Sequence, residues 1–311
     1  MGARHRDISF LLAALLILSA VFSFLSIFFL TAENILNILL ATSTIGILGV
    51  GAAFVIAAGG IDLSIGSLLA FSSVAAVVTG QSLNLMWPWV VLLCLAAGMI
   101  AGVANGLLIA KLSLPPFIVT LGMMSIARGL ALVIAGGRPV YGLDPAVVAF
   151  GQGRIGGIPV PVIIFLAAVV VMHIVLTRTR FGRITLCLGD NEEAVRNAGV
   201  CIALHKTLLY MLSGFLAGLA GLLSMSRVNA ADPAIGMGYE LAAITAALLG
   251  GTNLSGGKAS VIGVLLGALI MGVLQNGLTL LAVPSYYQQL MIGFVLIAAV
   301  ATHYHSRQRY A

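Results

Sequence analysis

The sequence predicts an all-α polytopic membrane protein of about ten transmembrane segments, some broken or re-entrant, and three observations carry that prediction. Of the 311 residues, 61% are hydrophobic and 8% charged, where about a quarter of an ordinary soluble domain is charged. Apolar runs of about twenty residues recur along the chain, each long enough to cross a hydrocarbon core of about 30 Å as a helix. One extended charged stretch, Arg178 to Lys206, interrupts them. Mean hydropathy is +1.16.

The runs lie near residues 8–30, 35–58, 63–80, 88–110, 117–136, 158–177, 206–226, 240–251, 259–281 and 286–302. The first follows Arg4-His5-Arg6 and so imitates a signal peptide. No small-residue cleavage site ends its long core, so it reads as a retained helix. The run at 117–136 contains Arg128, and the run at 240–251 is too short to span alone. Both are expected to be broken or re-entrant, which membranes tolerate where backbone is buried in protein or lines a wet cavity. Residues 1–311 hold no long linker or low-complexity tract and read as one domain.

The net charge of +6 would raise nucleic acid as a partner of a soluble protein. Topology accounts for it here. With the N-terminus inside, alternation puts Lys111, Arg178, Arg180, Arg183, Arg196, Lys206, Lys258 and the basic termini on the cytoplasmic side, and only Arg138, Arg154 and Arg227 outside. That asymmetry is the positive-inside signal, and it predicts both termini cytoplasmic and no nucleic-acid role.

Two features organise the spans. Gly98, Gly102 and Gly106 recur every fourth position, as do Gly214 with Gly218 and Gly263 with Gly267, spacings that let helix backbones approach closely in lipid. Gly59-Gly60-Ile61-Asp62-Leu63-Ser64 also resembles Gly250-Gly251-Thr252-Asn253-Leu254-Ser255. Paired Gly-interrupted segments point to weak internal duplication and to broken helices beside a solute path. Two tight glycine turns between helices would give the same pattern.

Chemistry is sparse. Thr252 to Ala259 is the nearest approach to a phosphate loop, and it lacks both the leading Gly and the Ser or Thr that places a hydroxyl on magnesium. The chain is therefore not read as its own ATPase. His5, His173, His205, His303 and His305 show no metal-ligand spacing. No nucleophile, base and acid set can be read from spacing either. Cys94, Cys187 and Cys201 imply no disulfide framework and read as small apolar fillers.

Arg128 at depth costs about 2.5–3.5 kcal/mol on insertion scales, so it must face protein or water. It reads as a ligand for a hydroxyl-rich solute or, preferably, as a packing partner of Asp62, Glu240 or helix-end carbonyls. Asp62, assisted by Ser64, reads as the N-cap of a helix starting near Leu63. In the charged stretch, Gly189 breaks the preceding apolar run, Asp190 or Asn191 caps a short helix, Glu192 and Glu193 sit at its positive end, and Gly199 closes it. About seven to ten residues of exposed helix, with Ala194, Val195 and Ala198 as apolar face, make a peg for a groove in another protein.

At these residues the chain resembles the permease subunit of ribose-type sugar ABC importers. The likeness runs in order through Gly59-Gly60-Ile61-Asp62-Leu63-Ser64, Leu114-Pro115-Pro116-Phe117-Ile118-Val119-Thr120, Thr179-Arg180-Phe181-Gly182-Arg183 with Gly189-Asp190-Asn191-Glu192-Glu193-Ala194, Gly238-Tyr239-Glu240-Leu241, Leu249-Gly250-Gly251-Thr252 with Gly256-Gly257, and Ser285-Tyr286-Tyr287-Gln288. It departs from the family pattern at Asp190, where Gly is frequent, at Cys187, where Ala is usual, and in the basic tail from His303.

The resemblance implies a bacterial inner-membrane subunit with no cofactor of its own. A separate cytoplasmic ABC ATPase uses ATP and Mg, an extracytoplasmic binding protein delivers the sugar, a ribose-like pentose first, and a second permease copy, identical or different, completes the path. It implies ATPase coupling at Gly189, Asp190, Asn191, Glu192, Glu193, Ala194, Arg196 and Gly199. Joined to the residue reading, it places the path near Asp62, Ser64, Phe117, Thr120, Arg128, Thr252 and Asn253. The binding protein would be met by the loops at 137–157 and 227–239 through Arg138, Asp144, Arg154 and Asp232. The rival is a self-contained secondary transporter or channel, which would place ionisable residues mid-span for ion coupling. Arg128 alone is plainly there.

Overall fold

The computed structural model of the protein describes the backbone of residues 2–308 and the side chains of residues 8–301. The side chains of Arg4, His5, Arg6, His303, His305, Arg307 and Arg309, singled out above, lie outside the described residues.

In chain order the helices are α1 (Gly2–Leu25), α2 (Ala32–Ala57), α3 (Ile65–Ser82), α4 (Trp87–Lys111), α5 (Pro116–Ala135), α6 (Pro145–Gln152), α7 (Val160–Arg178), α8 (Arg180–Asp190), α9 (Glu192–Asn197), α10 (Ile202–Val228), α11 (Tyr239–Leu249), α12 (Val261–Leu280) and α13 (Ser285–Gln308). Eight of them, α1, α2, α3, α4, α5, α7, α10 and α12, are long and apolar enough to cross a membrane, and α11 and residues 285–301 are shorter apolar helices. Together these coincide with the runs in the sequence. Helix starts carry their expected signals: Thr31 accepts from the Asn34 amide, Ser260 accepts from the Gly263 amide, and proline occupies the first turn of α4, α5, α6 and α7.

Two expectations are corrected. The run at 117–136 is not broken: α5 is one helix of 20 residues, because the Arg128 guanidinium reaches carbonyls of another segment and leaves its own helix intact. The charged stretch holds two helices, α8 and α9, where one was expected. The short run at 240–251 does end early. With 11 residues, α11 is about 17 Å long, half of a hydrocarbon core.

At the centre stands α2, buried on every side from residue 42 to 57, as befits a helix that is apolar all round after Thr42, Ser43 and Thr44. It is surrounded by α7, α10, α11 and α12. The glycine stripes work as read. Gly98, Gly102 and Gly106 of α4 lie against backbone of Gly214, Gly218, Tyr210 and Thr207 of α10, and Gly263 and Gly267 of α12 against Gly250 and Ala246. A side chain at any of them would force the helices apart. Large apolar side chains of α1, α5 and α13, such as Phe24, Val133 and Ile297, are exposed and suit contact with lipid.

The two ends differ. At one lie α8, α9 and the turns after α2 and α11. At the other lie α6 and two short ladders: β1 (Val140–Tyr141) pairs antiparallel with β4 (Ala230–Ala231), and β2 (Arg154–Ile155) with β3 (Ile158–Pro159).

Candidate functional site

The α7–α8 corner is set by two residues. The Thr179 hydroxyl donates to Val175 O at 2.6 Å and accepts from the Gly182 amide at 3.2 Å, starting α8. Gly182 lies directly on the carbonyls of Val175 and Leu176, with no room for a side chain. From there α8 is two-faced. Gly182, Thr185 and Leu188 are buried, while Arg180, Arg183, Cys187 and Asp190 are exposed. The inner face grips the bundle through aromatic contacts, Phe181 with Phe54 of α2 at 6.3 Å and with His205 of α10 at 4.7 Å between ring centres. The Thr185 hydroxyl donates to Phe181 O at 2.8 Å and lies 3.0 Å from His205 Nε2. With the hydroxyl proton already engaged, His205 donates through Nε2.

Gly189 does not break the run; it is the second-last residue of α8 and a contact point. A Cβ there would collide with Ala57 O at the end of α2 and with the backbone of Gly256 and Gly257. Only glycine lets α8 touch both turns at once.

The peg is smaller than expected. With six residues, α9 makes under two turns, so one apolar side chain can face inward. That residue is Val195, whereas Ala194 and Ala198 are exposed. Asn191 is the cap, accepting from the Ala194 amide at 2.9 Å, while Asp190 ends α8. Gly199 follows with φ of +77°. Glu192 holds Lys206 of α10 at 2.8 Å and Arg196 at 3.2 Å. The Lys206 bond, with the two nearby cations, keeps the Glu192 carboxyl below the usual carboxylate range against the opposing effect of partial burial. Beside this knot a cavity of about 580 Å³ opens toward the α4–α5 turn, walled by Ser113, Pro115, Glu192, Arg196 and Lys206.

The two glycine turns begin alike. Gly59 (φ +81°) and Gly251 (φ +85°) each take the left-handed position after their helices. The amides of Gly59 and Gly60 bond Ile56 O and Val55 O, and those of Gly251 and Thr252 bond Leu248 O and Ala247 O. By these bonds Gly59 corresponds to Gly251, one residue off the match in sequence.

Beyond them the turns diverge. Asp62 is 1% exposed. It accepts from the Ser64 amide at 3.0 Å, from Ser64 Oγ at 2.6 Å and from Ser213 Oγ of α10 at 2.8 Å, and Asn105 of α4 donates to Ser64 Oγ at 2.9 Å. The carboxylate thus orders the approach to α3, whose N-cap is Ser64 without a side-chain cap bond. Asn253 instead closes a local loop, bonding Lys258 O through its amide at 2.9 Å and the Ser255 amide through its side chain at 3.2 Å.

Of the remaining path residues, Thr120 is buried and its hydroxyl donates to Pro116 O at 2.9 Å and approaches Ile61 O at 3.3 Å. It therefore belongs with Asp62 and Ser64. Thr252 is buried, with its hydroxyl unpaired among the described residues. Phe117 is exposed on α5. Arg128 stands apart, donating through Nη1 to Pro233 O at 2.5 Å and Ile235 O at 2.8 Å. It bonds none of its expected partners, neither Asp62 nor Glu240 nor a helix-end carbonyl: both acceptors lie in the turn segment between β4 and α11. Polar Asn105, Tyr210, Ser213, Thr185 and His205 were missed. Two carried a signal, because Asn105 and Ser213 each precede a stripe glycine inside an apolar helix.

At the opposite end the β1–β4 pairing brings the loops at 137–157 and 227–239 together. Arg138, Asp144 and Arg154 are exposed and Asp232 half-buried. Asp144 caps α6 by accepting from the Ala146 amide at 2.7 Å, and Asp232 accepts from the Ala234 amide at 2.8 Å. Cys187 and Cys201 are exposed, so only buried Cys94 acts as an apolar filler.

Residues 34–300, which hold both glycine turns, α8 and α9, match the model of the family described as branched-chain amino acid transport system / permease component. The chain belongs to that permease family. This permease is 44% identical over 298 residues, 93% of its length and 91% of the relative's, to the ribose import permease RbsC of Escherichia coli K12. It is 43% identical to the RbsC of Bacillus subtilis 168, over 92% of this chain and 89% of that one. With the D-allose transport system permease AlsC of Escherichia coli K12 it shares 40% identity, over 92% and 88%. No solved structure matches it.

Proposed function

We propose that this permease translocates a sugar, a ribose-like pentose first, by alternating access driven by a separate cytoplasmic ATPase and fed by an extracytoplasmic binding protein. The observation that carries the reading is its likeness, over almost its whole length, to permeases named for ribose and allose import. The α8–α9 end faces the cytoplasm, since Lys111, Arg178, Arg180, Arg183, Arg196, Lys206 and Lys258 gather there. There α9, with Gly189 to Gly199, is the ATPase-coupling segment, and the β1–β4 end with Arg138, Asp144, Arg154 and Asp232 receives the binding protein. Asp62, Ser64, Thr120, Thr252 and Asn253 hold the two turns beside the path, and Phe117 and Arg128 belong to its α5 wall. Two permease copies complete it. Contact of Gly189 with both turns supports this reading, because displacement of the peg then reaches both through backbone.

Reconstitution tests it. Liposomes holding the permease with its ATPase, the sugar-loaded binding protein and ATP should accumulate ribose or a related sugar. The permease alone, under a proton or sodium gradient, should not. Uphill uptake by the lone chain would assign it to the secondary transporters.

A further inference from the structure

We propose that Arg178, Arg180 and Arg183, at the α7–α8 corner, form a site for the phosphate of an anionic membrane lipid. The inference rests on the chain's membrane insertion and not on which solute it carries.

Four observations converge on it. Leu166, Val170 and Ile174 of α7 are exposed and spaced one turn apart, and the next position in that row is Arg178, also exposed. An apolar stripe that ends in a guanidinium marks where acyl chains give way to headgroups. Two residues on, Arg180 and Arg183 occupy adjacent turns of the outer face of α8. Thr179 and Gly182 fix the corner, so the three guanidinium groups spring from a backbone that cannot splay. Finally, the ion pairs found among the described residues join Glu192 to Arg196 and Lys206 and include none of the three arginines.

The alternative occupant is an acidic surface of the ATPase, and the distribution of charge argues against it. The acidic residues of the segment, Asp190, Glu192 and Glu193, stand at the peg end, while Arg178 and Arg180 stand at the lipid end, across the length of α8, about 17 Å, and Arg183 is still about 10 Å from Asp190. Arg binds phosphate through a planar fork, and clustered basic residues beside a membrane surface favour anionic headgroups. The apolar stripe below the cluster selects a lipid over a soluble phosphate, since acyl chains lie along it while the headgroup is held.

Native mass spectrometry of the purified permease, with phosphatidylglycerol, phosphatidylcholine or inorganic phosphate added, tests this. The wild type should retain phosphatidylglycerol, and R178Q/R180Q/R183Q should lose at least five-fold of it, with phosphatidylcholine unchanged. Should that variant fail to insert, a photoreactive phosphatidylglycerol with its label near the headgroup answers on the wild type. Labelling should concentrate in the peptide holding residues 178–183. Labelling spread evenly over the chain, equal retention by the variant, or inorganic phosphate competing as well as the lipid would each overturn the site. So would unchanged lipid retention in a variant that no longer captures the ATPase, which would assign the arginines to that partner.

Discussion

The amide of Gly257 donates a 2.9 Å hydrogen bond to the carbonyl of Ala57. The turn after α11 is thereby fastened to the end of α2, and Gly189 of α8 lies over both. A methyl group at Gly189 has nowhere to go, since Ala57 O and the Gly256–Gly257 backbone cannot rotate away as a side chain could. Overpacking of this kind costs about 1–3 kcal/mol. Gly189→Ala should insert and bind ATPase, yet lose most sugar uptake while ATP hydrolysis persists. Uptake and hydrolysis measured in the same proteoliposomes check it, and full coupling would remove Gly189 from the transmission route.

Asp62 accepts from three donors, the Ser64 amide and hydroxyl at the start of α3 and the Ser213 hydroxyl of α10, and its removal strands them. Each buried donor left unpaired costs about 1–3 kcal/mol, so Asp62→Ala should lower the unfolding temperature in detergent far more than Ser213→Ala. That order should reverse if the carboxylate serves the solute and not the fold. Cysteine probes extend the point. Ser64 is fully buried and Ser255 exposed, so Ser255→Cys should react with a water-soluble thiol reagent and Ser64→Cys should not.

Most of the fold was legible because helices in lipid must satisfy their backbone internally, which makes apolar runs and glycine stripes direct records of spans and contacts. The peg at Glu192–Asn197 was legible for a similar reason, through Asn191, the paired glutamates and Gly199. What stayed hidden was set by contact at a distance. Gly189 looks like a helix breaker in sequence, and its role depends on Ala57 and Gly257, far away in the chain. Arg128 could be narrowed to a few partners but not to Pro233 and Ile235, whose carbonyls are offered by a loop conformation no periodicity encodes.

Acid should loosen the peg. Glu192 titrates below its ordinary value of 4.5 when folded, so its stabilisation is complete above that value and is lost as pH falls through the lowered one. The group is substantially exposed, and such pairs contribute about 0.2–1 kcal/mol. Hydrogen exchange of α9 amides should be indifferent to pH above 5 once intrinsic rates are removed, and should rise only as pH falls below the ordinary glutamate range. Glu192→Gln should show the fast exchange at neutral pH and no further acid effect. An unchanged profile in that variant would mean Val195, and not the ion pairs, holds α9 in place.

Arg128 clamps α5 to the loop that leads into α11, through two bonds to the carbonyls of Pro233 and Ile235. Replacing it with Met keeps the stem but strands Pro233 O and Ile235 O. Charged hydrogen bonds are worth about 1.5–3 kcal/mol, so the loop at 232–238 should gain mobility. Because that loop sits beside Arg138 through the β1–β4 ladder, the first function to fail should be capture of the sugar-loaded binding protein, not ATPase binding. Arg128→Lys, with one donor head able to reach at least one carbonyl, should fall between Met and wild type. Pull-down of each partner against the three versions decides it. If Arg128→Met binds both partners normally but no longer transports, the guanidinium acts on the solute itself, and the first of the two readings of this residue is the right one.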